Sequence, residues 1–351
     1  MGLNLRSDAD SITQVSKETR YCAWWALSML DTMLSVITGR PLGTGEIFST
    51  TPLPIPYREE DLRYDNIAQF RMDQRMRSSH LESLLCSQGP TASSSETSAT
   101  ERTNPIHPRS GNADQSKHLT QLPTKKLTPN TSLYFLYAVD LDILLRKAIE
   151  TLYAPGAARW SWLEVEVSIS NFDHGADNWL SRLPADFCFA KLDVAQPFAR
   201  QCASLGFRFY STKLLILQPC LRRAYHSPQM DSTGAICDSM AKECVLIAHQ
   251  MLDLFPDEAD TAWLFQIPPW WCVQHYMMQS TTVLLIELFT HAQEGTPEAE
   301  VLIGKVQKAL RWLREISTKD PSSRRAWILC AGLPFRHCSR FAKDFKVIAT
   351  L

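Results

Sequence analysis

The sequence predicts an all-α protein, built as one large multi-helix domain with a disordered insertion. Apolar residues recur at spacings of three and four in segment after segment, which is typical of helices that bury one face. No segment alternates apolar and polar residues with period two over a length that would form a sheet. The 351 residues are 45% hydrophobic and include ten tryptophans, so the chain can bury a large core.

The longest apolar pattern begins at Arg20 and predicts a helix around which the other helices pack. Ser11 followed by Gln14 fits a capping box, which favours a helix that starts at Ser11 and runs into Arg20. Gly39 and Pro41 favour its end, because glycine adopts the left-handed conformation that closes a helix and proline cannot continue one. The helix is apolar over most of its circumference, so we expect it inside the protein. Its buried stripe is predicted to contain Cys22, Ala26, Met29, Met33 and Ile37.

The chain after this helix is predicted to run as an extended arm and then as further helix. Pro52, Pro54 and Pro56 favour extended backbone. Residues 59–86 return to a helical composition, with apolar residues spaced among charges. Together with the first helix they form the N-terminal part of the predicted domain, residues 1–86.

A change of composition predicts the insertion. Residues 87–130 are rich in serine, threonine, proline, glycine and asparagine and carry few bulky apolar side chains. Such a segment cannot bury enough surface to offset the entropy of ordering it, so we expect it to be flexible. The helical pattern resumes beyond it, and residues 131–351 form the C-terminal helical part of the same domain.

The C-terminal part is predicted to contain six helices. One of them closes at Pro219, another is entered through Pro268 and Pro269, and the last starts at an N-cap formed by Thr296. The predicted ranges are 133–152, 160–183, 206–221, 237–255, 263–292 and 296–316.

Several short motifs resemble the fungal-specific transcription factor domain, which is the middle homology or regulatory region of fungal binuclear zinc-cluster transcription factors. The resemblance covers nearly the whole chain outside the insertion. Its strongest signature lies between the tryptophan pair of the first helix and the proline arm. The residues that carry this signature are Arg20, Trp24, Trp25, Asp31, Gly39, Arg40, Pro41 and Pro54. Further matching blocks are WLSRLP, PPWWCVQHY and KALRWLREISTKDPSSRRAW.

The resemblance implies transcription regulation in the nucleus. In a full-length family member, DNA is bound through an N-terminal cluster in which six cysteines hold two zinc ions. No C-x2-C pair occurs in this chain, so we expect no zinc here and no DNA contact except through a cluster that these residues lack. The resemblance also places Met1 inside the expected domain, which favours either a truncated start or a shortened paralogue.

Composition and motifs exclude several other classes of function. A net charge of −1 argues against a dedicated nucleic-acid surface, and no apolar run is long enough to cross a membrane. We found no sequence motif for a nucleophile elbow, a phosphate-binding loop or a zinc protease, so we expect no enzyme activity. Asp140 and Asp142 lie two apart on a helix and do not face each other. Cys272 and His275 are a weak metal pair that we expect to belong to the core.

Two residue groups are candidates for more than packing. Trp270 and Trp271 either bridge helices in the core or form a wall of an apolar pocket for a small-molecule effector. Arg40 is predicted to turn back over the end of the first helix, where it binds the free carbonyl groups and reaches a carboxylate. The alternative to this structural clamp is that Arg40 contacts a ligand.

The function predicted from the sequence is that of the regulatory region of a zinc-cluster transcription factor, with transcription co-regulators or an effector as partners. The first alternative is a stand-alone helical regulator that binds a ligand or partner without touching DNA, for which we expect the cytoplasm. The second alternative is an unrecognised all-α enzyme.

Overall fold

The computed structural model of the protein describes residues 2–6, 12–43, 49–58, 60–61, 73–85, 127–190, 192, 195–226, 234–266, 270–293 and 295–337. Every secondary-structure element assigned within these residues is a helix, which confirms the all-α prediction. The α-helices are α1 (Gln14–Thr38), α2 (Gln74–Leu84), α3 (Thr131–Leu152), α4 (Trp162–Arg182), α5 (Ala199–His226), α6 (Gly234–Asp253), α7 (Thr261–Phe265), α8 (Trp270–Thr290), α9 (Pro297–Ser317) and α10 (Pro321–His337). Short 3-10 turns at Pro155–Arg159 and Ala185–Phe187 precede and follow α4.

Two large hydrophobic clusters contain most of the buried apolar residues that the structure describes, and α5 contributes to both. The larger cluster contains side chains of α5, α6, α8, α9 and α10, among them Phe207 and Leu217 of α5. The smaller cluster joins α1, the arm, α2, α3 and α4 to another face of α5, which carries Leu205 and Phe209. A third, small cluster is built on Ile55 of the arm.

Helix α1 also reaches both large clusters, but its only buried members among the described residues are Met33 in the larger and Met29 in the smaller, far fewer than those of α5. The core is therefore built mainly on α5, and the prediction that α1 is the central helix is wrong.

Helix α5 continues through a proline that was predicted to end it. Pro219 lies inside the helix, which runs on to His226. A proline has no N–H to donate to the carbonyl four residues before it, so the carbonyl of Leu215 loses its usual partner. The Tyr153 hydroxyl donates to that carbonyl at 2.6 Å, which supplies the missing hydrogen bond.

Polar side chains at the helix starts explain where several helices begin. Thr13 caps α1 by accepting from the backbone N–H of Ser16 at 3.3 Å, so the start predicted at Ser11 is two residues early. Thr296 accepts from Ala299 N at 3.3 Å and confirms the predicted cap of α9.

Some predictions concern residues outside the described ranges. Only residues 127–130 of the predicted insertion are described, and the helix predicted over 59–86 is described from 73 to 85, where α2 lies. Pro268 and Pro269 also fall outside the described residues. Within the described residues, no helix has both the length and the apolar character needed to cross a bilayer.

Candidate functional site

The buried face of α1 is largely polar, in contrast to the predicted apolar stripe. Met29 and Met33 are buried as predicted, but Ala26 and Ile37 are exposed and Cys22 is only half-buried. The buried polar residues of α1 are Lys17, Glu18, Ser28, Thr32 and Ser35. The outward face carries an apolar row formed by Leu27, Leu30, Leu34 and Ile37, whose side chains are 37–49% exposed. The prediction that α1 is enclosed by other helices is therefore wrong for this face.

The polar face of α1 meets charged residues of α3 in a group that we call the polar centre: Ser28 and Thr32 of α1 with Asp142 and Arg146 of α3. Arg146 is 2% exposed, and its Nη1 donates to Ser28 Oγ and Thr32 Oγ1, both at 3.1 Å. The Thr32 hydroxyl lies 3.0 Å from Asp142 Oδ2 and donates to it. Buried polar groups with matched partners hold α1 in one register on α3, because a shifted register would leave them unpaired.

Asp142 is the group of the polar centre whose charge responds to pH near neutrality. Burial raises the pKa of its carboxyl group to about 7, although Arg208, the Thr32 hydroxyl and Arg146 each act to lower that pKa. A carboxyl group with such a pKa exchanges its proton close to the pH of a cell. The Asp142 carboxyl group of the polar centre can therefore be either neutral or negatively charged near neutral pH.

Asp31 connects the polar centre to the chain that leaves α1. Its carboxylate accepts from the backbone N–H of Gly43 at 3.0 and 3.2 Å and lies 3.9 Å from Arg146 Nη1. A Cβ atom at Gly43 would lie 3.1 Å from Asp31 Oδ1, so glycine permits this close approach. Asp31 thus draws the segment after α1 back toward the helix.

The end of α1 has the backbone that the sequence predicts but not the arginine contact. Gly39 is the C-cap residue with φ 64°, in the left-handed region, and its N–H donates to Ser35 O. Ser35 Oγ donates to the carbonyl of Pro41 at 3.4 Å. The backbone N–H of Arg40 also donates to Ser35 O, at 3.2 Å, whereas its side chain is exposed and makes no hydrogen bond to the described helix carbonyls. The predicted guanidinium clamp is therefore wrong within the described residues.

The proline arm is held by side chains that donate to its carbonyl groups. Trp25 Nε1 donates to Pro52 O at 3.0 Å, and Asn130 Nδ2, from the cap of α3, donates to Pro56 O at 3.2 Å. Pro54 is buried between these two contacts. An extended arm without a paired strand needs such donors, because its buried carbonyls would otherwise be unsatisfied.

A buried ion pair fixes the arm to both α1 and α2. Arg77 of α2 is 3% exposed and binds Glu18 of α1 with two nitrogens, at 2.5 and 3.0 Å. Its Nε also donates to the carbonyl of Leu53 at 3.1 Å. The guanidinium further lies 5.5 Å from the ring centre of Tyr21. One side chain therefore joins three segments of the smaller cluster.

The positions of the remaining candidate residues do not indicate a specific contact. Arg20 and Trp24 are half-buried on α1. Trp270 and Trp271 begin α8, but their side chains lie outside the described part of the structure, so the predicted pocket wall stays a prediction.

Nothing among the described residues forms a metal centre of three or more histidine, cysteine or acidic ligands. Burial raises the pKa of Cys272 to about 11 and lowers the pKa of His275 to about 4, and His275 Nε2 is buried without a hydrogen-bond partner among the described residues. Cys272 is 7% exposed and belongs to the larger hydrophobic cluster.

A cavity of about 950 Å³ opens between the start of α5, the end of α6 and α7. Its apolar lining includes Phe189, Leu254 and Phe255, which are buried, together with Trp263 and Tyr210. This cavity was not predicted from the sequence, because its walls come from two separate segments of the chain, residues 189–210 and 250–266. Aromatic residues in a helical pattern indicate a core and do not distinguish a filled core from a lined cavity.

The burial of Asp142, Arg146 and Arg77 was not predicted from the sequence either. The signal that could have found Asp142 and Arg146 is their position inside an otherwise apolar helix, where unpaired charges are costly. No comparable signal marks Arg77, because α2 carries many polar and charged residues.

The described residues define a class of protein: an all-α protein with two large hydrophobic clusters, both of which include α5, a polar centre and an open cavity. The chain is similar to a curated protein of Aspergillus niger named transcription regulator galc, with 29% identity over 369 aligned positions. The match covers 95% of this chain and 42% of that protein, so the chain spans less than half the length of the relative. No family model and no solved structure matches the chain.

Proposed function

We propose that this chain is the regulatory part of a fungal transcription regulator of the binuclear zinc-cluster type and that it acts in the nucleus. The observation that carries the proposal is the similarity to the A. niger protein, whose name describes a transcription regulator and whose match extends over 95% of this chain. The short motifs around Trp24–Trp25 and Gly39–Pro41 support the same family. DNA contact is assigned to a zinc cluster outside these residues, since the chain has no C-x2-C pair.

The polar centre supports a regulatory role for the α1 end of the domain. Arg146 and Asp142 bind α1 by hydrogen bonds that are made in one register only, so α1 is either docked or released. Such an element can pass a signal from a ligand or a co-regulator to the rest of a regulator, if the signal favours one of the two states. We propose this control of partner contact and propose no enzymatic step.

A reporter assay tests the proposal. Residues 1–351 are fused to a heterologous DNA-binding domain, and reporter output is compared with that of the DNA-binding domain alone at equal protein level. We expect the fusion to change output, and Arg146→Met to alter that change because it removes the contacts to α1. Lys147→Met is the matched control, since Lys147 is an exposed cation one position along the same helix. A fusion without effect on output, or nanomolar sequence-specific DNA binding by the unfused chain, would contradict the proposal.

The cavity favours a second candidate: a stand-alone helical regulator that binds a ligand or partner and does not contact DNA. This candidate predicts a tagged chain in the cytoplasm that is absent from chromatin at every ligand condition. Chromatin immunoprecipitation of the natural protein distinguishes the two, because the first candidate requires enrichment at defined promoters.

A further inference from the structure

The cavity between α5, α6 and α7 has the size and lining of a small-molecule site. Its volume of about 950 Å³ lies at the upper end of the usual range for ligand pockets, which is about 300–1,000 Å³. Its lining combines aromatic side chains with glutamines, among them Gln196, Gln201 and Gln250. We propose that it binds one neutral molecule with a flat apolar part and a hydrogen-bond acceptor such as a carbonyl oxygen. This inference goes beyond the proposed function and does not depend on it.

The apolar part of the ligand is assigned to the aromatic and aliphatic side chains of the lining. Phe255 and Phe189 are 2% and 3% exposed and line the cavity together with Leu254. The ring of Phe255 lies 6.1 Å from that of Trp263, and the ring of Phe189 lies 5.5 Å from that of Tyr210. These ring contacts fix the orientation of the lining, so a flat apolar molecule meets a preformed surface.

The hydrogen-bond acceptor of the ligand is assigned as the partner of the Gln196 side-chain amide, which donates to it. Gln196 lies just before α5. Its Nε2 is buried and has no hydrogen-bond partner among the described residues, although it lines the cavity. A buried amide N–H without a partner is costly, and a ligand carbonyl would satisfy it.

The charged residues at the cavity favour a neutral ligand. Asp253 lines the cavity, but its carboxylate is paired with the Lys305 ammonium group. Arg200 is the cation among the lining residues that the structure describes, and its side chain is exposed to solvent, where its charge is screened. Among the described lining residues, therefore, no buried and unpaired charge of either sign is available to hold an ionic ligand.

The test uses Nile red, a flat neutral dye with a carbonyl acceptor, titrated into the purified full chain. We expect saturable binding of one dye per chain, with a blue shift of its emission. Gln196→Leu keeps the approximate size of the side chain and removes the donor, so we expect the dissociation constant to rise about three- to tenfold. Ala199→Trp places an indole at the cavity edge, and we expect it to reduce dye binding at least as much. Both variants are first checked for an unchanged helical spectrum and cooperative melting.

The matched control addresses the other apolar surface on which the dye could bind, the exposed row of α1. Leu30→Gln removes one member of that row, and we expect it to leave the dissociation constant within twofold of the wild-type value. Absence of saturable binding would overturn the proposal. Binding that both cavity variants leave unchanged, or that Leu30→Gln abolishes, would also overturn it. Because the assay contains no DNA and no reporter, its failure is distinct from a failure of the proposed function.

Discussion

Helices α1 and α9 bury opposite kinds of residue, and the comparison shows what decides burial in this protein. The buried face of α9 is mainly apolar, with Leu302, Val306 and Leu310 among its residues, and its polar residues face mostly outward. On α1 the buried face carries Ser28 and Thr32 instead, while a row of leucines faces outward. Hydrophobicity explains the burial of α9 except at Lys308, whose ammonium group is paired with Asp257. The orientation of α1 depends on which partners the neighbouring helices offer.

Those partners explain why α1 can bury hydroxyl groups and a carboxylate. Arg146 reaches Thr32 across 114 positions of sequence, and Arg77 reaches Glu18 across 59. Each buried polar group of this kind is tolerated because another segment supplies the matching group. We therefore expect the free energy of unfolding to fall when a polar partner of α1 is removed. For α9, we expect it to fall when apolar side-chain volume is removed.

The strongest test of this difference is Arg77→Met. The change leaves the Glu18 carboxylate buried without its cation and the Leu53 carbonyl without its donor. We expect the free energy of unfolding to fall by about 3–5 kcal/mol, as for other broken buried ion pairs. Chemical denaturation measures it. Arg75→Met on the exposed side of the same helix is the control, and a loss below about 1 kcal/mol for Arg77→Met would refute the role assigned to the pair.

The polar centre should also make stability depend on pH, through Asp142. Its pKa is raised by burial to about 7, so between about pH 4 and pH 7 the folded protein keeps a proton that the unfolded chain has lost. The unfolding free energy should therefore decrease as the pH rises through this window, by roughly 4 kcal/mol in total, and stay level above it.

Asp142→Asn removes this titration, and the difference in unfolding free energy between wild type and variant isolates it from the other groups. Denaturation at several pH values from 4 to 8 measures the difference. A difference that is constant over this range would show that Asp142 is ionised throughout and that its pKa is not raised.

For α9, the corresponding test removes volume. Leu310 is fully buried, and Leu310→Ala should lower the unfolding free energy by about 3 kcal/mol through lost apolar contact and the cavity that remains. Leu30→Ala makes the same chemical change on the exposed row of α1, where the side chain is 44% exposed, and should cost about 0.5 kcal/mol. Equal losses in thermal or chemical melts would mean that the α1 row is covered in solution.

Sequence patterns predict local features of this fold well and long-range pairing poorly. The cap at Thr296 and the left-handed Gly39 follow from nearby residues, and both are observed. The continuation of α5 through Pro219 depends on Tyr153, which is distant in sequence, and it could not be read from the proline alone. The direction that α1 faces depends in the same way on Asp142 and Arg146.

The same limit applies to the candidate site. The signature residues around the end of α1 could be found from their pattern, yet the pattern could not say that Asp31 contacts the Gly43 backbone while the Arg40 side chain stays exposed. An arginine beside a helix end has the reach for either position, and the choice depends on which acceptors remain free after the chain turns.

The smallest effect on stability is expected at Arg40. Because its guanidinium is exposed and the helix end is closed by the backbone N–H groups of Gly39 and Arg40, Arg40→Ala should change the unfolding free energy by less than about 0.5 kcal/mol. Gly39→Val, at the preceding position, is the contrasting variant. It forces a β-branched side chain to φ 64° and should cost about 1–3 kcal/mol.

Melting curves of both variants, together with the reporter fusion, separate a structural role of this turn from a contact role. If the turn is structural only, Gly39→Val alters melting and output together, and Arg40→Ala alters neither. A change in output for Arg40→Ala with unchanged melting would mean that the exposed guanidinium binds a partner or ligand. A loss of 1 kcal/mol or more for Arg40→Ala would mean that its side chain does bind the helix end, as the sequence first predicts.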